Sequence, residues 1–304
     1  YIVFTLWIIV TCTFFMMKNL PGTPFDAERF SIMTPAQQKQ VLEMYGLNDP
    51  LPVQYVKYMK NMIHGDLGTS FTYVNKDVAD VVSGRLGPSA LIGIQAVLLG
   101  LAVGLILGIL AAWKHNSGID YFTMILAVLG VSVPNFVAAA LLQYFIGLKW
   151  GILPVGFWTN WDCSVLPSIA LSFSATAMVA RFMRTEMLDV LDQDYIVTAR
   201  AKGISQMKVL MRHAVRNSVL PVVTILGPVV VNLMTGSLAV ENIFSIPGIG
   251  SLFVDCIKAN DYPVIMGITI FYAAFYMLVV LLIDLVYSVI DPRIRLAKGK
   301  EDES

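Results

Sequence analysis

Residues Leu86–Trp113 read LGPSALIGIQAVLLGLAVGLILGILAAW, without a single charged side chain and without strict apolar–polar alternation. A helix that crosses a bilayer needs about 20 mostly apolar residues. Within lipid every backbone N–H and C=O must find its partner inside the protein. A run of this length, lacking a period of two, predicts a membrane-spanning helix and argues against a barrel strand. Five further charge-free stretches read the same way: Tyr1–Met17, Tyr121–Leu148, Cys163–Ala180, Asn217–Val240 and Tyr262–Ile283. The last is expected to continue to Ile290, carrying Asp284 near its end. The fold class that follows is an all-α integral membrane protein with six transmembrane helices. Tyr1–Met17 is expected to be a first helix truncated at its start. The rival, a signal peptide, lacks its basic leading region and a small-residue cleavage site before Lys18.

The composition agrees. Of 304 residues 57% are hydrophobic, and mean hydropathy is +0.70; soluble domains sit at about 45–50% apolar. Net charge is zero, which leaves no footprint for nucleic acid. Cys12, Cys163 and Cys256 are far apart with no CxxC, so neither a metal nor a redox centre is indicated. Spacing alone leaves a disulfide between Cys163 and Cys256 open.

Lysines and arginines in the short loops set the orientation. With six spans, one set of loops carries Lys114, then Arg181, Arg184, Arg200, Lys202, Lys208, Arg212 and Arg216, then Arg293, Arg295, Lys298 and Lys300. The opposite short loops carry only Lys149 and Lys258. The loop 18–85 holds seven more lysines and arginines, but long loops translocate largely regardless of charge. The expected layout is a first span at 1–17, an external loop at 18–85, a five-helix core at 86–290 and a tail at 291–304. The core includes a cytoplasmic loop at 181–216, and both termini are cytoplasmic.

The external loop has its own signals. Thr34-Pro35-Ala36-Gln37 reads as an N-cap, a proline at the first helical position and a capping-box glutamine. Gly46 should end that helix. Asp49-Pro50-Leu51-Pro52 should start a second helix, stopped by Gly65, with Val53, Val56, Met59 and Ile63 near one face. Both helices are expected to lie against the outer membrane surface or the top of the bundle.

Between Glu186 and Pro221 the chain is polar and basic: EMLDVLDQDYIVTARAKGISQMKVLMRHAVRNSVLP. Met187, Leu191 and Tyr195 recur at helical spacing as one apolar face. After Gly203, which tolerates a left-handed turn, Ile204, Met207, Met211 and Ala214 form a second apolar face. Lys208, Arg212 and Arg216 form a basic stripe. A solvated, positive loop without a partner is the plain alternative. It leaves the apolar faces and the scarcity of turn residues unexplained, so the segment is expected to dock something.

These residues also carry a resemblance. Asp194-Tyr195-Ile196-Val197-Thr198-Ala199-Arg200-Ala201-Lys202-Gly203, followed by Arg212-His213-Ala214-Val215-Arg216-Asn217 and Leu220-Pro221, is similar to the EAA loop of ABC importer permeases. The general pattern has Glu six residues before its Gly, where this chain has Val197, and its Leu-Pro lies less far downstream. Other stretches resemble the oligopeptide/dipeptide branch. They are Tyr45-Gly46-Leu47 with Gln54-Tyr55, Gly65–Phe71, Ser132-Val133-Pro134, Gly236-Ser237 through Gly250, and Asp291-Pro292-Arg293. The resemblance covers nearly the whole chain and comes nearest to the B-type subunit of that branch.

The resemblance implies a type I importer fold in a bacterial cell membrane. It implies a second homologous permease, two cytoplasmic ATPase subunits that bind ATP and magnesium, and an external peptide-binding protein. It makes Asp194, Tyr195, Thr198, Ala199, Arg200, Ala201, Lys202 and Gly203 the residues of a coupling helix that meets the ATPase.

The chain's own chemistry is consistent with that division of labour. It has no GxxxxGK[ST], so no phosphate cradle is legible and no cofactor is expected on this chain. Ion coupling would need intramembrane acids or histidines. The charge-free runs hold none, with Glu241 and Asp284 near span ends. Small polar residues of spans three to five are the candidates for lining a solute pathway: Ser132, Asn135, Gln143, Ser172, Ser174, Thr176, Asn232, Thr235 and Ser237. Such residues also serve simple helix packing. SIPGIGS at 245–251 lacks a preceding strand, so it reads as a turn beside a short external helix. A dipeptide or nickel-chelate permease is the alternative within the class. A membrane enzyme finds no HExxH, GxSxG or intramembrane His–Asp pair. A non-transporting scaffold or receptor subunit is the alternative from another class.

Overall fold

The structure is a computed structural model that describes residues 2–19, 30, 32–44, 46–73, 75–234 and 238–290. In chain order its helices are α1 (Ile2–Lys18), α2 (Pro35–Met44), α3 (Leu51–Ile63), α4 (Val78–Trp113), α5 (Gly118–Ser132), α6 (Asn135–Leu142), α7 (Val165–Leu191), α8 (Asp194–Ala201), α9 (Arg216–Met234), α10 (Leu238–Ile243), α11 (Ile249–Lys258) and α12 (Tyr262–Ile290). Wider π-helical turns prolong α6 over Gln143–Lys149 and lead into α9 over Val209–Val215. Among the described residues the only β feature is an isolated bridge between Thr69 and Asp77.

The chain divides into two compact units, one made of 1–87 with 248–275 and the other of 88–247 with 276–304. In the first, Phe14 and Met17 of α1 share a core with Val78, Val81 and Val82 of α4, Ile249, Leu252 and Cys256 of α11, and Ile265 and Ile268 of α12. Asp261 caps this unit from within. Fully buried, it accepts hydrogen bonds from the Ser70 hydroxyl and from the Phe71 and Thr72 N–H groups at 3.2 and 3.0 Å. The expected capping box is present: the Thr34 N–H donates to Gln37 Oε1 at 2.9 Å, and the Gln37 N–H donates to Thr34 Oγ1 at 3.4 Å. Gly46 and Gly65, at φ of 64° and 81°, end the two loop helices as expected. α3 meets the core through its tyrosines. Tyr55 and Tyr58 pack on Phe14, whereas Val53, Val56 and Ile63 are exposed.

In the second unit α7 is the axle. Gly100, Gly104 and Gly108 of α4 press against it so closely that added Cβ atoms would lie 2.7 Å from Ala175 Cβ, 2.7 Å from Val179 Cβ and 2.6 Å from the Ala180 carbonyl oxygen. Gly130 brings α5 equally near, 2.9 Å from Ala177 Cβ by the same construction.

Among the described residues three helices are long and apolar enough to cross a membrane: Val78–Trp113, Trp161–Leu191 and Tyr262–Ile283. α5 and the α6 segment pass the same test together, and these are bent by 102°. The span expected over Tyr121–Leu148 is therefore broken at Pro134. Proline disfavours helical backbone in the residue before it, and Val133 sits extended at ψ 118° ahead of Pro134. Pro221 and Pro228, by contrast, lie within an unbroken α9. The Cys163–Ala180 span runs on to Leu191, and α4 starts at Val78, inside the stretch assigned to the external loop. Of the Asn217–Val240 span, α9 and the start of α10 are described, while 235–237 lie outside the described residues. So do Tyr45, the Asp284 side chain and the 291–304 tail. All three cysteines are free.

Candidate functional site

The polar 181–216 segment begins as the last turns of α7, which carry Met183 and Met187 fully buried. The helix stops at Asp192. Gln193 is extended at ψ 147°, and α8 starts afresh at Asp194. This break removes Tyr195 from the face of Met187 and Leu191, so the single apolar face expected there does not form. Instead Ile196, fully buried, and Ala199, 7% exposed, turn inward and pack with Val209, Val190, Leu191 and Ile204.

The far end of α8 closes as the glycine predicted. Gly203 has φ 73°, its N–H donates to the Arg200 carbonyl at 2.9 Å, and the Ile204 N–H donates to the Ala199 carbonyl at 3.3 Å. These paired bonds, with an apolar residue after the glycine touching the buried turn, make a Schellman cap. Asp194, Tyr195, Thr198, Arg200, Ala201, Lys202 and Gly203 are all exposed, and Ala199 alone of the expected coupling residues points inward. The Asn217 amide donates to the Tyr195 hydroxyl at 2.9 Å, and the Ser218 hydroxyl donates to the Glu186 carbonyl at 3.2 Å. α8 is thus a short rod fixed to the end of α7 and the start of α9, offering a polar outer face.

The second apolar face also divides. Ala214 is buried, but Met207 and Met211 are half exposed, at 51% and 53%. The π-helical turns over Val209–Val215 put more than 3.6 residues in each turn, so Met211 and Ala214, three apart, no longer share a face. Val209 and Leu210 point inward instead. Lys208, Arg212 and Arg216 are exposed, next to the two methionines in sequence.

The pathway candidates separate. Ser172 and Thr176 line an apolar cavity of about 720 Å³ bounded by α4, α5, α6 and α7. The Ser172 hydroxyl is turned onto the Ile169 carbonyl at 2.8 Å. Gln143 donates its amide to the Val155 and Ile243 carbonyls at 2.6 and 2.7 Å, which gives it a bracing role in this state. Ser132 is exposed, Asn135 and Ser174 are half-buried, and none of the three lines that cavity. Thr235, Ser237 and the Asn232 side chain lie outside the described residues.

Two charged groups escaped the sequence reading. Glu241, expected near a span end, is fully buried and accepts from the Ser89 hydroxyl at 2.7 Å. Asp120, 1% exposed in the first turn of α5, receives Arg184 of α7 through two bonds of 2.5 and 2.8 Å. A pair separated by 64 positions leaves no local periodic signal. The one available hint was an arginine one turn beyond a charge-free run.

Comparison with known proteins gives the class of the chain. Residues 104–296 match the inner membrane component of binding-protein-dependent transport systems, and residues 2–88 match the N-terminal part of such membrane components. The chain belongs to this family. It is 44% identical over 292 residues to the dipeptide transport system permease protein DppB of Lactococcus lactis subsp. cremoris (strain MG1363), covering 96% of this chain and 95% of that one. It is 43% identical to DppB of Bacillus subtilis (strain 168), with 97% and 95% covered. Against the oligopeptide transport system permease protein OppB of Escherichia coli (strain K12) the identity is 40%, with 96% and 95% covered. The crystal structure of an amino acid ABC transporter with histidines shares the fold at a TM-score of 0.53 and 19% identity, covering 71% of this chain and 94% of that one.

Proposed function

We propose that this chain is the permease subunit of an ATP-driven peptide importer, supplying half of the translocation pathway. It is a transporter subunit, and ATP hydrolysis belongs to separate subunits. The observation that carries the coupling is the α8 rod: a capped helix, anchored by Ile196 and Ala199, with an exposed face from Asp194 to Gly203. Two cytoplasmic ATPase subunits would grip such rods, one on this chain and one on a second, homologous permease. Binding-state differences in the ATPase would then bias the permease between inward- and outward-facing forms. An external binding protein delivers the peptide. Six crossings, with both termini and 181–216 in the cytoplasm, follow the charge distribution of the short loops.

Oligopeptides are the first reading of the cargo. Dipeptides are the second, favoured by 44% and 43% identity to two dipeptide permeases against 40% to the oligopeptide permease of E. coli (strain K12). The test is ATP-dependent uptake of labelled di- and oligopeptides into proteoliposomes. These hold the sister permease, the ATPase subunits and the binding protein, with and without this chain. Uptake that requires the chain supports the importer, and the peptide length taken up assigns the cargo. Absence of both uptake and ligand-stimulated ATPase would leave a scaffold and overturn it.

A further inference from the structure

We propose that Asp120 and Arg184 form the joint through which movement of α8 is passed to the bent α5–α6 segment. They would act as a positioning pair for transport. The inference rests on the reading that α8 is the element the ATPase moves.

The geometry starts at α8. Its buried side chains Ile196 and Ala199 pack on Val190 and Leu191, the last residues of α7. α7 is unbroken from Val165 to Leu191. Arg184 lies two turns back along it, roughly 10 Å at the helical rise. A displacement of α8 therefore reaches Arg184 through a stiff rod.

From there the guanidinium makes a two-pronged contact across to α5: Nε to Asp120 Oδ1 at 2.5 Å and Nη2 to Asp120 Oδ2 at 2.8 Å. Planar, bidentate pairing fixes angle as well as distance. The carboxylate is 1% exposed and the arginine side chain 20% exposed, so neither partner is readily replaced by water. Neighbouring groups crowd the carboxylate: the Asn116 N–H donates to Oδ2 at 3.0 Å, and His115 Nδ1 lies 3.1 Å from Oδ2 and 3.2 Å from Arg184 Nη2.

Farther along α5, Gly130 sits against Ala177 and Phe173 of α7, so the two helices are held at both ends. Just beyond Gly130 comes the 102° bend at Val133-Pro134. α5 cannot slide along α7 without breaking the charge contact, and the bend turns its motion sideways. Asp120 in a first helical turn also satisfies the local dipole. That role needs no arginine and no 64-residue reach. A bidentate partner on the helix that bears α8 is what the joint adds.

The experiment uses the complete complex with sister permease, ATPase subunits and peptide-binding protein in proteoliposomes. Four quantities are read: yield of assembled complex, basal ATPase, peptide-stimulated ATPase, and peptide taken up per ATP hydrolysed. Asp120→Asn is expected to assemble with basal ATPase intact while uptake per ATP falls about tenfold, the usual size of a coupling between sites. Arg184→Lys, which keeps charge but loses the fork, should fall between wild type and Asp120→Asn. The exchange Asp120→Arg with Arg184→Asp should recover part of the loss. Two results overturn the joint. One is wild-type uptake per ATP in Asp120→Asn; the other is loss of assembled complex in every variant including Arg184→Lys, which makes the pair a folding element. Gly203→Pro in the same system tests the underlying reading separately. If that variant transports normally, α8 is not the moving part, whatever Asp120 does.

Discussion

At the scale of single residues, α8 has two faces that respond differently to substitution. Gly203 occupies a left-handed conformation with open space where a Cβ would go. Alanine there meets only backbone strain of about 1–2 kcal/mol. Proline is barred outright, since its ring fixes a negative φ and it lacks the N–H that closes onto Arg200. Gly203→Ala is expected to lower peptide uptake modestly, and Gly203→Pro to abolish it while the protein still inserts.

Ala199→Glu is a packing lesion, because its carboxylate would enter the Ile196–Val209 cluster at a cost of about 3 kcal/mol. It should make 181–216 protease-sensitive as it stops uptake. Ala201→Trp, on the exposed face, should stop uptake with no such sensitivity. If both behaved alike, the outer face would not be the docking face. The glycine turn was legible because one chemical feature determines it. Ile196 was not, because the helix restarts at Asp194, and no apolar period crosses the break at Asp192-Gln193.

At the scale of elements, the contact between α4 and α7 depends on glycines that the composition shows but cannot interpret. Four-residue spacing places Gly100, Gly104 and Gly108 on one face, and the structure adds that this face touches backbone. Gly84, earlier in the same helix, has nothing within 4 Å of its Cβ position. The two sites therefore give opposite predictions for the same change. Gly84→Ala should be neutral or stabilising by about 0.5–1 kcal/mol, from reduced freedom of the unfolded chain. Gly104→Ala should be destabilising by about 1–3 kcal/mol through overpacking against Val179 and the Thr176 carbonyl. Thermal unfolding of the detergent-solubilised protein reads both, and a destabilised Gly84→Ala would contradict the packing assignment. Existence and type of the long helices were readable from charge-free length alone. Their ends were not: a helix that continues past its apolar run, as α7 does to Leu191, is held by tertiary packing of Met183 and Met187.

At the scale of the whole molecule the bend decides how the crossings are counted. If the α5–α6 segment crosses the membrane despite its 102° turn, three crossings separate α3 from α8 and the two face opposite sides. If it dips in and returns on the same side, only α4 and α7 intervene and both face one side. A membrane-impermeant maleimide distinguishes these. The background is Cys12→Ser, since Cys12 is exposed. The other native thiols are buried. Burial and the neighbouring Asp261 and Asp255 carboxylates push Cys256 up to about 12. Its thiolate is therefore scarce at any labelling pH below that, and stability tied to this proton would be lost only as pH rises from about 9 toward 12. In that background Lys60→Cys on α3 is expected to label only in right-side-out vesicles, and Lys202→Cys beside α8 only in inside-out ones. Labelling of both from one side would make the bent pair re-entrant, reduce the spans by one, and put the joint at Asp120 on a hairpin instead of a crossing.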